Sequence, residues 1–255
     1  MSTLTDLSGK TTLVVGASRG LGRGIVASFA GGGARVVAIS RSPAGFAEPA
    51  NGTRTIQHEV ADATAATAPA SLLDRYEPDV VVLVAGATPH MRPLRQQTWE
   101  TFSVNWESDV RMTFNWVREI LLKPLRPGSR VVVLSSGAML HGSPLSGGYA
   151  GAKATQRFIS AYAQDEAKSA GLGITFTAVL PRFAPQTAVG RLAVQAYAAR
   201  AGQSVEQYLE SFVQSTGPVV TPEVAGTALV KLVTQDPGSL SLAYLLTGDG
   251  LKPLP

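Results

Sequence analysis

Residues 12–30 read TLVVGASRGLGRGIVASFA. Thr12–Val15 is a short apolar, β-branched run of strand character, and Gly24–Ala30 has the apolar spacing of a helix. Between them, Gly16-Ala17-Ser18-Arg19-Gly20-Leu21-Gly22 sets three glycines in the turn from strand to helix. Glycines let the backbone turn sharply and approach a pyrophosphate, whose charge the N–H groups and positive end of the next helix stabilise. A glycine-rich turn occurs in many proteins; its place between the first strand and the first helix is what makes this one a phosphate cradle.

The same alternation continues along the chain. Strand-like runs fall at Ala34–Ile39, Thr53–Val60, Val80–Val84, Arg130–Leu134, Ile174–Leu180 and Leu242–Leu246, with helical spacing at Trp99–Leu122, Tyr149–Ala170 and Pro222–Thr234. Such alternation predicts an α/β protein, a Rossmann-type doubly wound parallel sheet of about seven strands with helices on both faces. Thr221 as cap, Pro222 at the first helical position and Glu223 in the first turn mark the start of the last helix. Ser42–Gly52, with two prolines and two glycines, is expected to be a loop where this architecture would place a helix. No repeat or linker divides the chain, so one domain over residues 1–255 is expected.

Composition narrows the function. The chain is 45% hydrophobic and 16% charged, the balance of a globular core and not of a disordered tract. Its net charge of +4 comes from lysines and arginines scattered along the chain, which argues against a nucleic-acid partner. Zero cysteines exclude disulfides, thiolate metal sites and a cysteine nucleophile, and no His, Asp and Glu ligand set is apparent, so no metal is expected. Met1–Lys10 is polar and no apolar run is long enough to span a bilayer, so a cytoplasmic protein without a membrane partner is expected.

Tyr149-Ala150-Gly151-Ala152-Lys153 puts a phenol and an ammonium at i and i+4, on one face of a helix. A neighbouring cation favours the phenolate and brings the phenol toward useful acid–base range. Ser136 lies upstream at the end of the fifth strand, and Asn105 in the preceding long helix. This order and spacing of Asn, Ser, Tyr and Lys resembles the active-site tetrad of the short-chain dehydrogenase/reductase family, and the first turn matches that family's G-x-x-x-G-x-G pattern. The likeness extends over essentially the whole chain.

The resemblance implies an NADP(H)-dependent oxidoreductase moving a hydride between nicotinamide and a carbonyl or alcohol carbon. Tyr149 would be the general acid in reduction, Ser136 would polarise the substrate oxygen, Lys153 would bind the nicotinamide ribose and lower the phenol pKa, and Asn105 would hold a proton-relay water. Ser135 is the rival to Ser136, with the spacing to Tyr149 favouring the latter. The cofactor would lie against Gly16, Ser18, Arg19, Gly20, Leu21, Gly22, Ser40, Arg41, Val60, Asp62, Ala85, Gly86, Tyr149, Lys153 and Pro181. Ser40 stands where NAD-binding relatives carry an acid, and Arg41 with Arg19 could bracket a 2′-phosphate, which favours NADP(H) over NAD(H).

Several residues depart from the family pattern. Leu83-Val84-Ala85-Gly86 stands where Asn-Asn-Ala-Gly is frequent, and Pro181-Arg182 replaces Pro-Gly, so that loop is expected to take another path; Thr187 falls one position late. Adenine recognition is left between Glu59 and Asp62. By analogy Thr88–Leu94, Gly137–Gly148 and 182–217 enclose the substrate, the last as a lid, and a homodimer or homotetramer is expected. A ketoreductase of a small or polyketide-like ketone is the leading reading. A noncatalytic nucleotide sensor or scaffold, and a dehydratase or isomerase, are the rivals.

Overall fold

The computed structural model describes residues 6–46 and 56–255. Its eight strands are β1 (Thr11–Val15), β2 (Arg35–Ser40), β3 (Ile56–Val60), β4 (Val80–Leu83), β5 (Arg130–Leu134), β6 (Thr175–Pro181), β7 (Ala243–Thr247) and β8 (Gly250–Leu254). They form one sheet in the order β3-β2-β1-β4-β5-β6-β7-β8. The first seven run parallel and β8 is antiparallel to β7. Strand order reverses between β1 and β4, and Val15 pairs with both Ile39 and Leu83, so the carboxyl ends of three strands meet beside the glycine turn. A doubly wound sheet opens its ligand crevice at that switch point.

Nine α-helices connect or follow the strands: α1 (Gly20–Gly31), α2 (Ala68–Tyr76), α3 (Trp99–Asn105), α4 (Arg111–Leu122), α5 (Ala138–His141), α6 (Tyr149–Ser169), α7 (Ala188–Ala201), α8 (Val205–Thr216) and α9 (Pro222–Val233), counted among the described residues. Period-two side chains of the strands bury both faces of the sheet. Val14, Val36, Ala38 and Val82 pack under Ile25 and Phe29 of α1 and Leu229 and Leu232 of α9. Leu13, Val15, Ile39 and Leu83 pack on the opposite side with Met112, Trp116 and Ile120 of α4. Trp116 is fully buried, and its Nε1 donates to Ala63 O at 3.1 Å. Truncating a side chain of this size in such a core costs about 3–5 kcal/mol.

The sheet carries an eighth strand beyond the seven expected, because Leu251-Lys252-Pro253-Leu254 pairs on the edge, where a proline without an N–H is tolerated. The long helix expected at Trp99–Leu122 is α3 and α4 joined through one π-helical turn, Trp106–Val110. Residues 182–217 carry α7 and α8, each opened by a hydroxyl cap, Thr187 and Ser204. Ser42–Phe46 has no helix or strand, and the rest of the expected loop, with Thr53–Thr55 of the third strand, lies outside the described residues. Among the described residues no helix is long and apolar enough to cross a membrane.

Candidate active site

A cavity of about 990 Å³ lies over the carboxyl ends of β1, β2, β4, β5 and β6 and runs from Ser40 and Arg41 to Tyr197, Tyr208 and Phe212. Gly16, Ser18, Arg19, Gly20, Leu21 and Gly22 form one wall. Gly16 has φ +101°, and a Cβ there would fall 2.4 Å from Ala85 N, so any other residue would push the β1 turn off the β4 turn. The start of α1 has no side-chain cap and no acid in its first turn. Its N–H groups and dipole are left to an anion, which is the fit a pyrophosphate requires.

At the β2 end Ser40 is buried and Arg19, Arg41 and Asp62 are exposed. Ser40 Oγ donates to Ser42 O at 2.8 Å, and having one hydrogen it must accept from His58 Nε2, also at 2.8 Å. Asp62 Oδ1 accepts from Thr64 N at 2.9 Å and from Thr64 Oγ1 at 2.8 Å, and these bonds hold its carboxyl below the usual carboxylate range. Glu59 points elsewhere: it accepts from Tyr76 Oη and pairs with Arg75 at 3.4 Å, tying β3 to α2. Val60 is 57% exposed and does not face the cavity, whose wall there is Ala61–Thr64.

The other end is built from α6 and the turn after β5. Ser136, Tyr149 and Lys153 all face the cavity, with Ala85, Gly86 and Pro181 beside them. Ser136 Oγ accepts from Ala138 N at 3.2 Å, which leaves its hydrogen for another acceptor. Ser135 is spent differently, its Oγ donating to Lys153 O at 2.7 Å in the buried seam between β5 and α6. Lys153 Nζ lies 5.6 Å from the centre of the Tyr149 ring. Asn105 is fully buried behind the cavity wall; its Nδ2 donates to Ala87 O at 2.8 Å, and among the described residues Oδ1 has no partner. An orphaned buried carbonyl of this kind calls for a donor such as water.

The departures from the family pattern have local explanations. Val84 sits against the apolar core below the sheet, so packing takes the place of a bracing amide. Arg182 does not adopt positive φ; its N–H donates to Leu246 O at 2.8 Å, prolonging the β6–β7 ladder, and its guanidinium reaches Thr216 O at the end of α8. Thr187 caps α7, with Oγ1 accepting from Gly190 N at 3.0 Å. Thr88–Leu94 turns away from the cavity, held by Gln97 Nε2 at 3.0 Å from both His90 O and Arg92 O. Gly137, Ala138, Leu140–Pro144, Phe183, Tyr197, Tyr208 and Phe212 do face it. Phe183 and Phe212 pack at 4.2 Å between centroids, and burial raises the Tyr208 phenol pKa, as does Tyr197 nearby.

Three polar residues were missed in the sequence: Asp109, Gln156 and His58. Asp109 and Gln156 are fully buried around Lys153. The signal for Asp109 was available, since it shares the core-facing stripe of the long helix with Asn105, Met112, Thr113 and Trp116, where a charge is out of place.

Comparison with known proteins agrees with this fold. The short chain dehydrogenase family model matches residues 10–197. A hydroxynaphthalene reductase of Aspergillus fumigatus is 30% identical over 190 residues, covering 70% of this chain and 68% of that protein. A short chain dehydrogenase family protein from Francisella tularensis subsp. tularensis SCHU S4 superposes with a TM-score of 0.76 at 18% identity, over 92% of this chain and 95% of that one. The 3-ketoacyl-(acyl-carrier-protein) reductase from Brucella melitensis, solved with NADH, gives 0.72 at 18% identity, over 93% and 96%. The two structures share the fold.

Proposed function

The chain belongs to the short-chain dehydrogenase family of oxidoreductases, and on that premise we propose that it is an NADP(H)-dependent ketoreductase whose substrate is an aromatic, polyketide-like ketone. The observation that carries the reading is the single cavity bringing the glycine cradle, Ser136, Tyr149 and Lys153 together. A purely nucleotide-binding protein has no need of the last three on one wall.

The uncapped start of α1 and the Gly16 turn would hold the pyrophosphate, with Ala85 and Gly86 against the adenosine ribose. Arg41 and Arg19 would take a 2′-phosphate beside Ser40, whose hydroxyl hydrogen is spent on Ser42 O, and Asp62, facing the cavity where Glu59 does not, would meet the adenine. Bound there, the nicotinamide supplies the two-electron transfer to or from the substrate carbon. Ser136 Oγ donates its free hydrogen to the substrate oxygen and orients it. Tyr149 Oη delivers a proton to that oxygen in reduction and withdraws it in oxidation. Lys153, fixed one turn along α6, lowers the cost of the phenolate. Phe183, Phe212, Tyr197 and Tyr208 present an aromatic wall to the far end of the substrate, and α7 and α8 close over it as a lid. Arg191 and Arg200 of α7 are exposed and outside the cavity, and Arg182, which lines it, is bonded to Thr216 O, which favours an uncharged ring system.

Calorimetric titration with NADPH and, in parallel, NADH tests the cofactor. NADPH should bind about ten-fold or more tightly, the value of one charge-assisted contact; tighter NADH overturns the assignment. Bicyclic aromatic ketones should then be reduced faster than short aliphatic ones, and the reverse order would remove the substrate class.

A further inference from the structure

Resting on the reading of Tyr149 and Lys153 as an acid–base pair, we infer that Asp109 is a positioning residue that holds Lys153 in place and keeps it an ammonium. Three protein acceptors surround Nζ: Asp109 Oδ2 at 2.9 Å, Gln156 Oε1 at 2.8 Å and Leu134 O at 3.5 Å. Lys153 is 6% exposed and Asp109 0%. Its place is therefore set by partners on the π turn, β5 and its own helix, independently of any bound ligand.

The carboxylate is itself held on every side. Oδ1 accepts from Ala87 N at 2.8 Å, and Asn105 Nδ2 stands 3.4 and 3.3 Å from the two oxygens. A Cβ on Gly86 would come 2.8 Å from Oδ2, so the β4 turn leaves room for this carboxylate only because residue 86 is glycine. Gln156 Nε2 donates to Thr113 Oγ1 at 2.6 Å and to Asp109 O at 3.2 Å, locking the far side. The π turn Trp106–Val110 lets Asn105 and Asp109 both point inward ahead of Thr113, and such turns are frequent at functional sites.

The electrostatic consequence follows from burial. A lysine amine this deep in protein loses its proton unless a partner holds it. Burial pulls Lys153 down, but Asp109 beside it, and Tyr149, more than offset this and keep the ammonium above its ordinary value. The titratable groups facing Nζ are Asp109 from the π turn and Tyr149 from α6; β5 offers Leu134 O and the hydroxyls of Ser135 and Ser136, α4 offers Thr113, and the β4 turn offers backbone. Only a charged Lys153 favours the Tyr149 phenolate, so Asp109 acts on Tyr149 through Lys153.

The test is an NMR titration of the free protein carrying ¹³C at lysine Cε, with Lys153→Arg used to assign the signal. In the wild type Lys153 should remain an ammonium up to about pH 10. In Asp109→Asn, which keeps the shape and removes the charge, it should titrate at least about two pH units lower. Identical Lys153 titrations in the two proteins overturn the inference, as does a wild-type Lys153 already neutral at pH 8. The wild-type titration decides by itself if the Asn variant does not fold. The signal does not depend on turnover, so failure to find a ketone substrate and a neutral Lys153 are separate results.

Discussion

The two ends of the cavity are built by opposite means. Around Lys153 the polar groups of Asn105, Asp109, Thr113 and Gln156 are fully buried and meet one another. Around Ser40 the charges of Arg19, Arg41 and Asp62 stand in solvent. In the buried end removing one partner strands another in low dielectric, so effects are large and coupled. In the exposed end each charge is screened and replaceable, so cofactor choice becomes a sum of small contributions that leaves the fold alone. On the proposed reading, chemistry is fixed at the Lys153 end and cofactor preference is tuned at the Ser40 end.

The sharpest way to break this contrast is Tyr149→Phe. Loss of the acid–base hydroxyl should lower kcat by about 10²–10⁴-fold, while calorimetry still shows NADPH binding. Unchanged turnover would remove the proton-transfer role and, with it, the distinction between a chemical end and a binding end. Lys153→Met probes the coupling. It leaves Asp109 as an unpaired buried charge and should reduce unfolding free energy by about 3–5 kcal/mol in urea. The linkage has a definite sign. Lys153 in the folded protein lies above its usual value of 10.5, so its stabilisation is complete below pH 10.5 and fades as pH rises through the higher folded value. The wild type should therefore lose stability above that pH, and the Met variant should lack this loss.

Arg41→Glu moves to the open end and sharpens the comparison from the other side. The substitution should weaken NADPH by about ten- to hundred-fold and change unfolding free energy by about 0.5 kcal/mol or less. A large loss of stability would show that the adenosine end is as coupled as the catalytic one.

The same contrast explains what the sequence made legible. The inner strands β1, β2, β4, β5 and β6 announce themselves through β-branched runs, and α9 through Thr221, Pro222 and Glu223, because propensity and burial agree there. Tyr149 and Lys153 could be put on one face of α6 from their spacing, whereas Ser136 was reached only through the family order of Asn, Ser, Tyr and Lys; all three face the cavity. β8 was not, since Leu251-Lys252-Pro253-Leu254 has no strand signature and pairs only because the edge of β7 is there. The Asp109 network was only partly visible: a charge on the core-facing stripe of the long helix was a signal, but its partners are brought together by tertiary packing of α3, the π turn, α4 and α6, which no local spacing encodes. At the adenosine end the sequence left Glu59 and Asp62 open because strand-end position alone does not say which way a side chain turns, and the answer depends on Tyr76 and Arg75 of α2.

That last pair yields the smallest effect and the finest discrimination. Asp62 faces the cavity with a carboxylate held by Thr64 N and Oγ1, and Glu59 is committed to Tyr76 and Arg75. Asp62→Asn should therefore weaken NADPH and NADH alike, by about ten-fold or less, the scale of one hydrogen bond. Glu59→Gln should leave both affinities unchanged and slightly loosen α2 on β3, visible as faster amide exchange in Ala68–Tyr76. Thr64 keeps the Asp62 carboxyl ionised below its usual range, so its contribution should be constant from pH 5 to 8 and fade only on further acidification. Measured with NADH, which carries no 2′-phosphate to titrate, an Asp62 contribution that changed between pH 5 and 8 would contradict this hold by Thr64.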